Sequence, residues 1–367
     1  MCGINGFNFK DVSLIKRMMA LTSSRGPDNQ DFFENEEYTV GHNRLSIIDP
    51  EKGSNQPYYF KNFILSFNGE IYNYIEIKNR LISKGYSFDT TSDTEVIIKL
   101  FDLEGTNSFK ELSGIFSISI YDVKLKKLYL VRDVVGVKPL YYHYDLRNKK
   151  FIFSSLISSI LISLKDKKLN YEALNSYSNF NRNDYRETFF KNIFKVLPGE
   201  MIEVYNENYK RTKILNFKFN WNKDEKELTS DIGKKFSNQF LSDVPVALSL
   251  SGGYDSNIIL QELLKNKGVN FTNYSVTFKD SSKFQQDHEV AEKISKHYGV
   301  KFNSIEVGAK DFRDNAEKIV DIVEEPTGNQ NSISNIVLSN NVSEKVLFSG
   351  DGGDEVFTGY DRYRSIF

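Results

Sequence analysis

The 367-residue chain has little of several features, and each scarcity argues against a class of protein. Its single cysteine excludes a disulfide framework and Cys-rich zinc or iron–sulfur sites. Neither charge sign dominates, because 48 Lys and Arg face 49 Asp and Glu, which argues against a protein that holds nucleic acid mainly by a basic surface. Only 7 prolines beside an aromatic content of 14% argue against long disordered segments.

Long apolar runs are also scarce. The start of the chain carries Lys10 and Asp11 without an apolar run behind a basic segment, which argues against a secretory signal peptide. The longest apolar-rich stretch, 152–164, is interrupted by serines and is shorter than the ~20 residues of a membrane span, so it predicts a buried helix. We therefore expect a cytoplasmic protein with neither membrane nor nucleic-acid partners.

Short strand-like runs separated by Gly, Asn and Asp characterise the chain up to residue 205. Helices are predicted at 14–22 and from Ser92, where Glu95 is placed for a capping box. Strands with interspersed helices predict an α+β layered domain over residues 2–205.

A different pattern follows the polar segment 206–227, which we assign to a linker. From residue 228 onward, helical spacing alternates with strands that are predicted at 244–250, 271–278, 301–307 and 346–348, and 244–250 is a nearly continuous apolar run. Apolar strands that alternate with helices are typical of a doubly wound parallel sheet. The second domain is therefore predicted to be α/β.

The one cysteine stands at position 2. Removal of Met1 would leave Cys2 with a free α-amine of ordinary pKa near ~7.7–8.0, which could act as the base for its own thiol. A lone cysteine is by itself more often a buried small hydrophobe. The choice between nucleophile and core residue therefore depends on the motifs that accompany it.

Further motifs follow Cys2-Gly3-Ile4 in a fixed order, at 25–28, 42–47, 68–73, 92–95 and 132–141. Together they resemble the class II glutamine amidotransferase domain, and the resemblance covers nearly all of residues 2–205. It implies an N-terminal nucleophile hydrolase fold of α/β/β/α layers. It also implies that Cys2 is the nucleophile, with Asn68 and the backbone N–H of Gly69 as the oxyanion hole.

The same resemblance implies which residues bind glutamine. An Arg fork suits the α-carboxylate, and Arg44 matches that position. Glu70 and Asp93 match the positions that hold the α-ammonium. The other matching positions are Leu45, Ile47, Ile48, Asn68 and Gly69.

A strand-to-helix turn in the second half reads Ser251-Gly252-Gly253-Tyr254-Asp255-Ser256. Glycines let the backbone approach a phosphate, and helix N-terminal amides bind anions, although a bare Ser-Gly-Gly turn also serves as a tight connection. No Gly-Lys-Ser/Thr follows, so the turn is not a Walker P-loop. The hexapeptide resembles the PP-loop of N-type ATP pyrophosphatases, and 347–360 resembles the second signature of asparagine synthetases.

These resemblances imply that ATP is split to AMP and pyrophosphate to form an acyl-adenylate. The implied ATP-binding positions are Ser249, Ser251, Gly252, Gly253, Asp255, Ser256, Val276, Ser349 and Gly350. Asp351 matches the acidic position associated with forming the adenylate. Carboxylates near a phosphate turn suit Mg²⁺, and the candidates are Asp255, Asp287 and Asp354.

The chain is thus identified as a member of the glutamine-hydrolysing asparagine synthetase family, which makes it an amide-forming carbon–nitrogen ligase. The favoured acceptor is aspartate, with glutamine as the amido donor. Two alternatives stay open: the same chemistry on another small carboxylate, such as a uronic-acid sugar in surface polysaccharide synthesis, or a glutaminase or regulatory paralogue whose synthetase half is inactive. The glutaminase or regulatory alternative gains weight because the chain stops soon after Tyr360, so 228–367 is expected to be an incomplete domain. A homodimer is left open.

Overall fold

The computed structural model describes the chain apart from residues 51–52, 184–185, 218–223, 267–269, 279–281, 328, 330 and 365–367. Its contacts divide into two units. The first comprises Met1–Trp221 with Glu324–Pro326, and the second comprises Asn222–Val323 with Thr327–Phe367. Within the first unit, the Glu324 carboxylate accepts the backbone N–H groups of Ile157 at 2.5 Å and Ser158 at 3.0 Å, which ties the 324–326 segment to it.

Two antiparallel sheets form the centre of the first unit. Their strands in chain order are β1 (Gly3–Phe7), β2 (Asn29–Glu34), β3 (Thr39–Arg44), β4 (Tyr58–Phe60), β5 (Phe63–Ile71), β6 (Gly114–Asp122), β7 (Lys127–Arg132), β8 (Tyr141–Asp145), β9 (Lys150–Ser154), β10 (Phe194–Lys195), β11 (Glu200–Tyr205) and β12 (Asn208–Lys213). One sheet has the order β10-β8-β9-β1-β3-β2 and the other β12-β11-β7-β6-β5-β4. The helices are α1 (Val12–Leu21), α2 (Tyr74–Ser83), α3 (Asp93–Glu104), α4 (Ile157–Leu161) and α5 (Tyr171–Phe180).

Apolar side chains arrange these elements in four layers. Ile4 and Phe153 of one sheet pack with Ile64 and Leu130 of the other in the central core. Helices α1 and α4 cover the outer face of the first sheet through a separate cluster, and α3 covers the outer face of the second. The predicted α/β/β/α layering is confirmed, because each sheet buries one face on the other and one on helices.

Two predicted features of the first unit differ from the structure. The stretch 152–164 was predicted to be one buried helix, but β9 runs to Ser154 and α4 begins only at Ile157. The Ser154 hydroxyl accepts the Leu156 N–H at 3.0 Å, a local bond that turns the chain between strand and helix.

The predicted capping box at Ser92 is also wrong in part. The Ser92 hydroxyl caps α3 by accepting the Thr94 N–H at 3.1 Å. The Glu95 carboxylate, however, accepts the Thr90 N–H at 2.8 Å and pairs with Lys99 at 2.5 Å. A buried carboxylate is satisfied better by an ammonium and several donors than by a single backbone N–H.

The segment assigned to a linker begins inside the first unit. β12 occupies its first part and pairs with β11 along its full length, from Glu200 opposite Lys213 to Tyr205 opposite Asn208. β12 is an edge strand of mostly exposed polar and basic residues, a composition common on sheet edges, where charge hinders pairing with other chains. Residues 218–223 of the assigned linker lie outside the described residues.

A parallel sheet of order β15-β14-β13-β16 forms the second unit, as predicted. Its elements in chain order are α6 (Glu225–Gln239), β13 (Val246–Ser249), α7 (Tyr254–Lys265), β14 (Phe271–Phe278), α8 (Ser282–Tyr298), β15 (Phe302–Val307), α9 (Ala309–Val323), α10 (Asn331–Asn341), β16 (Val346–Phe348), α11 (Gly353–Phe357) and α12 (Asp361–Arg364). β14 and β15 lie on one side of β13 and β16 lies on its other side, so the crevice beyond the carboxyl end of β13 is a topological switch point. In the part of the chain that the structure describes, no helix has the length and apolar composition needed to cross a membrane.

Candidate functional site

Cys2 lies directly before β1, and the pairing of Gly3 with Asn43 brings it beside the end of β3. The Leu45 N–H donates to the Cys2 sulfur at 3.3 Å. The Arg25 guanidinium donates through Nε to the Cys2 carbonyl at 3.0 Å. Residues distant in sequence therefore hold both the sulfur and the carbonyl of Cys2.

Burial dominates the acid–base properties around Cys2. It raises the pKa of the Cys2 thiol, while the N-terminal amine and the Lys138 ammonium lower it by smaller amounts. Burial also lowers the pKa of the N-terminal amine, here that of Met1, from 8.0 to about 6. The Met1 amine is therefore mostly unprotonated at neutral pH, and an unprotonated amine can take the proton of a thiol.

The end of β5 carries Asn68, Gly69 and Glu70. A Cβ on Gly69, whose φ is +157°, would lie 2.1 Å from the Ile115 carbonyl oxygen, so only glycine allows the neighbouring strand to approach this closely. The peptide groups of the preceding Phe67 are held by side chains: its C=O accepts His42 Nε2 at 3.0 Å, and its N–H donates to Gln56 at 2.6 Å. The backbone on which Asn68 stands is therefore fixed.

Two carboxyl groups adjoin this strand end: Asp93 is buried and Glu70 is half-buried. Burial and the nearby Asp93 carboxylate raise the pKa of Glu70 well above its ordinary value. Burial raises the pKa of Asp93 to about 6, although its Oδ2 accepts the Ile71 N–H at 3.0 Å. Two neighbouring carboxyl groups whose pKa values are raised are stabilised in their ionised form when a cation binds beside them.

Arg44 is buried at the end of β3. Its guanidinium donates to Asn55 at 3.0 Å and to the carbonyl oxygens of Ile48 at 3.2 Å and Asp49 at 2.9 Å. Its charge lowers the pKa of Glu70, so the two side chains are near each other. A cation and two acids near one another match the zwitterionic end of an amino acid.

The structure therefore brings together Cys2, Arg44, Leu45, Glu70 and Asp93, and it places Asn68 and Gly69 on the strand that delivers Glu70. Ile48 contributes its carbonyl to Arg44, and Ile47 lies half-buried in the same loop.

Sequence reasoning assigned no role to Arg25 or Lys138, although both belong to motifs noted above. The segment that presents Lys138 is held by Asp133, whose Oδ1 accepts the N–H groups of Val135, Gly136 and Val137 at 2.6–3.1 Å. Asp133 Oδ2 accepts the Lys138 N–H at 3.1 Å. Burial lowers the pKa of Lys138, while Glu70 raises it. The signal available from the sequence was the polar Arg132-Asp133 pair preceding a glycine turn.

In the second unit, the turn after β13 is organised around Ser256. Its hydroxyl accepts the Ser251 N–H at 3.2 Å and lies 3.1 Å from the Ser251 hydroxyl. Gly252 has φ +80°, and a Cβ there would lie 2.5 Å from the Asp287 carbonyl oxygen. The turn thus requires glycine, and it leads into the N-terminus of α7, whose amides suit an anion.

This turn meets the loop that follows β16. A Cβ on Gly353 would lie 2.4 Å from Asp255 Cγ, so the second glycine-rich loop fits around the Asp255 side chain. The pocket between the loops measures about 440 Å³. The predicted residues that line it are Ser249, Ser251, Gly253, Asp255, Ser256, Ser349, Gly350, Asp351 and Asp354.

Three predicted residues fall outside that lining as the structure describes it: Gly252, Val276 and Asp287. Val276 lies in β14 opposite Ile305, and the exposed Asp287 reaches the turn only through its backbone. Sequence reasoning missed one wall of the pocket, to which α10 contributes Asn335, Leu338 and Ser339. No motif marked that helix, because its residues lie at helical spacing rather than in a run.

The described residues contain no group of three His, Cys, Asp or Glu side chains arranged to hold a metal. The set of three carboxylates predicted for Mg²⁺ is therefore not assembled. Asp255 and Asp354 nevertheless both line the pocket. Two carboxylates fit Mg²⁺, which usually takes one or two from the protein and completes its shell with water and substrate phosphates.

The chain combines a layered domain that has a cysteine at position 2 with a parallel-sheet domain that has a Ser-Gly-Gly phosphate turn. This combination defines a class: glutamine amidotransferases joined to a nucleotide-dependent synthetase. Residues 1–215 match the family described as glutamine amidotransferase domain. Residues 227–367 match the family described as asparagine synthase. The chain therefore belongs to the glutamine amidotransferase family, and its second part matches the asparagine synthase family; the interval 216–226 separates the two matches.

Curated relatives agree over nearly the whole chain. The glutamine-hydrolysing asparagine synthetase 1 of Bacillus subtilis is 32% identical over 99% of this chain and 60% of its own length. Asparagine synthetase 3 of the same organism is 28% identical over 98% of this chain and 63% of its own. Asparagine synthetase B of Escherichia coli is 27% identical over 98% of this chain and 65% of its own. The chain thus spans about two thirds or less of these relatives.

Proposed function

We propose that this chain carries out glutamine-dependent and ATP-dependent amidation of a carboxylate, with aspartate as the favoured acceptor. The observation that carries the proposal is the Cys2 thiol, held by the Leu45 N–H at 3.3 Å beside Arg44 and the Glu70–Asp93 pair. That arrangement provides a nucleophile together with binding partners for both charged groups of glutamine.

Each step of glutamine hydrolysis has a candidate group. With Met1 removed, the Cys2 α-amine takes the thiol proton, and the sulfur attacks the amide carbon of glutamine. The carbonyl oxygen becomes an oxyanion that Asn68 Nδ2 and the Gly69 N–H stabilise. The protonated amine returns its proton to the leaving nitrogen, ammonia departs, and water hydrolyses the thioester to glutamate and free thiol.

The pocket of the second unit supports adenylation. The turn at Ser251–Ser256 and the N-terminus of α7 provide donors for pyrophosphate, and Asp255 and Asp354 would hold Mg²⁺, which neutralises phosphate charge when bound. Asp351 accepts the Ser349 hydroxyl at 2.8 Å, which orients its carboxylate in the same pocket. The acceptor carboxylate would attack the α-phosphorus, pyrophosphate would leave, and ammonia would then displace AMP to form the amide.

The names of the relatives support aspartate as the acceptor, since three of those described above are named asparagine synthetases. One relative carries a name that does not specify aspartate as the acceptor. The amidase chyE of Penicillium rubens is 26% identical over 96% of this chain and 56% of its own length, so a relative of similar extent carries a different name. Another small carboxylate, such as a sugar acid, is the alternative acceptor that the assay below includes.

The test is an assay of the full chain with glutamine, ATP and Mg²⁺, in which aspartate and a panel of sugar acids are supplied in turn. Glutamate and pyrophosphate are measured separately. We expect acceptor-dependent pyrophosphate release with aspartate. Cys2→Ala should reduce glutamate formation to background while ammonia still supports pyrophosphate release. Asp351→Asn should abolish pyrophosphate release while glutamate formation continues.

Each result decides between the candidates. Pyrophosphate release with a sugar acid but not with aspartate identifies the sugar acid as the acceptor. Glutamate formation without pyrophosphate for any carboxylate favours a glutaminase whose second domain is inactive. Unchanged glutamate formation in Cys2→Ala refutes the proposed nucleophile.

A further inference from the structure

Several buried polar atoms between the two sheets of the first unit have no part in the steps above. Side chains alternate along β5, so Ser66 and Asn68 share the inner face with the core residue Ile64. Within the described chain, both side-chain polar atoms of Asn68 lie buried without a hydrogen-bond partner, as do Ser117 Oγ, Ser66 Oγ and His42 Nδ1. Buried polar groups are nearly always paired, so this group of atoms needs an explanation.

The proposed function accounts for half of Asn68 only. Its Nδ2 must be free to donate to the oxyanion, but its Oδ1 has no task there. An amide whose oxygen is not held can rotate about its last side-chain bond and point the donor away from the substrate. A precise oxyanion donor therefore requires a hydrogen-bond donor on the Oδ1 side.

Ser117 is the residue placed to supply that donor. It lies directly opposite Asn68 in the β5–β6 ladder, so both side chains project from the same face with Cβ atoms about 4.5–5.5 Å apart. Its side chain is completely buried. Rotation about one torsion angle brings its hydroxyl toward Asn68.

The other polar groups nearby are less suited. His42 uses its Nε2 proton on the Phe67 carbonyl, so the neutral ring presents Nδ1 only as an acceptor. Ser119, the next inward residue of β6, lies 2.9 Å from the Tyr38 hydroxyl. Ser66 is two residues from Asn68 along the same strand, farther than the directly opposed Ser117.

We propose that the Ser117 hydroxyl donates to Asn68 Oδ1 and thereby turns Asn68 Nδ2 toward the carbonyl oxygen of bound glutamine. Ser117 is then a positioning residue, which acts on the reaction through Asn68 without touching the substrate. The inference rests on the proposed role of Asn68 in glutamine hydrolysis.

The test is a double-mutant cycle in the full chain, scored by glutamate formation. Ser117→Ala should lower kcat about 10-fold with KM for glutamine within about twofold, because the oxyanion forms only during the reaction. Asn68→Ala should lower kcat by about 100-fold or more. Combining the two should reduce kcat no further than Asn68→Ala does, since Ser117 would have nothing left to position.

Two further variants separate positioning from folding. Ser117→Thr keeps the hydroxyl on a residue that suits strands, and it should recover most of the lost kcat. Ser119→Ala, on the same face of the same strand, should stay within about twofold of the unmodified chain. Circular dichroism checks that all three variants are folded at the assay temperature.

Ser66→Ala is measured as well, because Ser66 is the other unpaired hydroxyl on this face. Three outcomes would overturn the inference: a kcat for Ser117→Ala within about twofold of the unmodified chain, multiplicative losses in the double variant, or a loss of kcat in Ser66→Ala that Ser117→Ala does not show. Failure of the proposed function looks different, because Cys2→Ala and Asn68→Ala would then both retain glutaminase activity.

Discussion

At the scale of single residues, Asp93 shows how burial of a carboxyl group favours the binding of a cation. Its pKa rises from 3.8 to about 6 on folding, chiefly because burial disfavours the charged form. The folded chain therefore binds more protons than the unfolded chain between these values, so the free energy of unfolding falls as pH rises through this window and is level above it. The ionised carboxylate is destabilising until a cation joins it.

We predict that Asp93→Asn raises KM for glutamine about 30-fold, which corresponds to about 2 kcal/mol for a lost charge-assisted hydrogen bond to the α-ammonium. The same variant should lose less stability than the unmodified chain between about pH 4 and about pH 6. Initial rates at neutral pH and urea unfolding across this window measure the two effects. Asp102→Asn, on the same helix, is the control, because Asp102 is engaged by Lys61 and Tyr86. An unchanged KM in Asp93→Asn would contradict the assignment.

Gly69 is a second residue whose identity the geometry requires. We predict that Gly69→Ala destabilises the fold by about 3 kcal/mol and abolishes glutamine hydrolysis, because the new Cβ would lie 2.1 Å from the Ile115 carbonyl oxygen. Gly85→Ala is a matched control, since Gly85 also has positive φ, at +91°, but nothing lies within 4 Å of its Cβ position. That control should cost about 1 kcal/mol. Equal losses of unfolding free energy in the two variants would refute the steric argument.

At the scale of elements, the Asp133 segment shows how one carboxylate shapes a loop. It accepts the N–H groups of residues 135–138 and also that of Phe116 at 3.1 Å. Arg132 donates to the carbonyl oxygens of Lys138 at 2.8 Å and Gly136 at 2.6 Å from the other side. The loop is therefore built before any ligand binds.

We predict that Asp133→Asn destabilises the first unit by about 3 kcal/mol, because the amide keeps only one acceptor oxygen for these donors. Glutamine hydrolysis should fall as well, since Lys138 would lose its fixed position beside Glu70 and Cys2. Urea unfolding and initial rates measure both effects. Asp145→Asn tests the same change at an exposed turn, where Asp145 Oδ1 accepts the N–H groups of Arg147 and Asn148, and should cost under about 1 kcal/mol. Similar losses in both variants would exclude a special role for the loop.

Elements with strong local patterns were predicted well. Strands 271–278 and 346–348 match β14 and β16 residue for residue, because 271–278 is rich in aromatic and β-branched residues and 346–348 is apolar throughout. β12 escaped prediction because its stability comes from pairing with β11, and its own residues are mostly polar and exposed. The capping box failed for a similar reason, since Lys99 and Thr90 compete for Glu95 in three dimensions.

At the scale of the whole molecule, each unit has hydrophobic cores of its own. We predict two calorimetric unfolding transitions, each raised by a different ligand. A nonhydrolysable ATP analogue with Mg²⁺ should raise the midpoint temperature of only one transition, and glutamate that of only the other. At a ligand concentration 100 times the dissociation constant, each ligand should add about 2.7 kcal/mol to the free energy of unfolding of its unit. Gly252→Ala should abolish the response to the ATP analogue alone. A single transition raised by both ligands would contradict independent units.

The sequence by itself determined the inventory of chemistry: one cysteine at position 2, ordered motifs, and two glycine-rich turns after apolar strands. These features are local, so neighbouring residue types suffice to reveal them. Only the tertiary structure decided which groups meet. It placed Arg25 and Lys138 beside Cys2, set Ser117 opposite Asn68, and left the Asp287 side chain outside the pocket. Proximity across sheets and the extent of burial depend on the packing of the whole chain. Proximity decides which side chains pair, and burial shifts their pKa values.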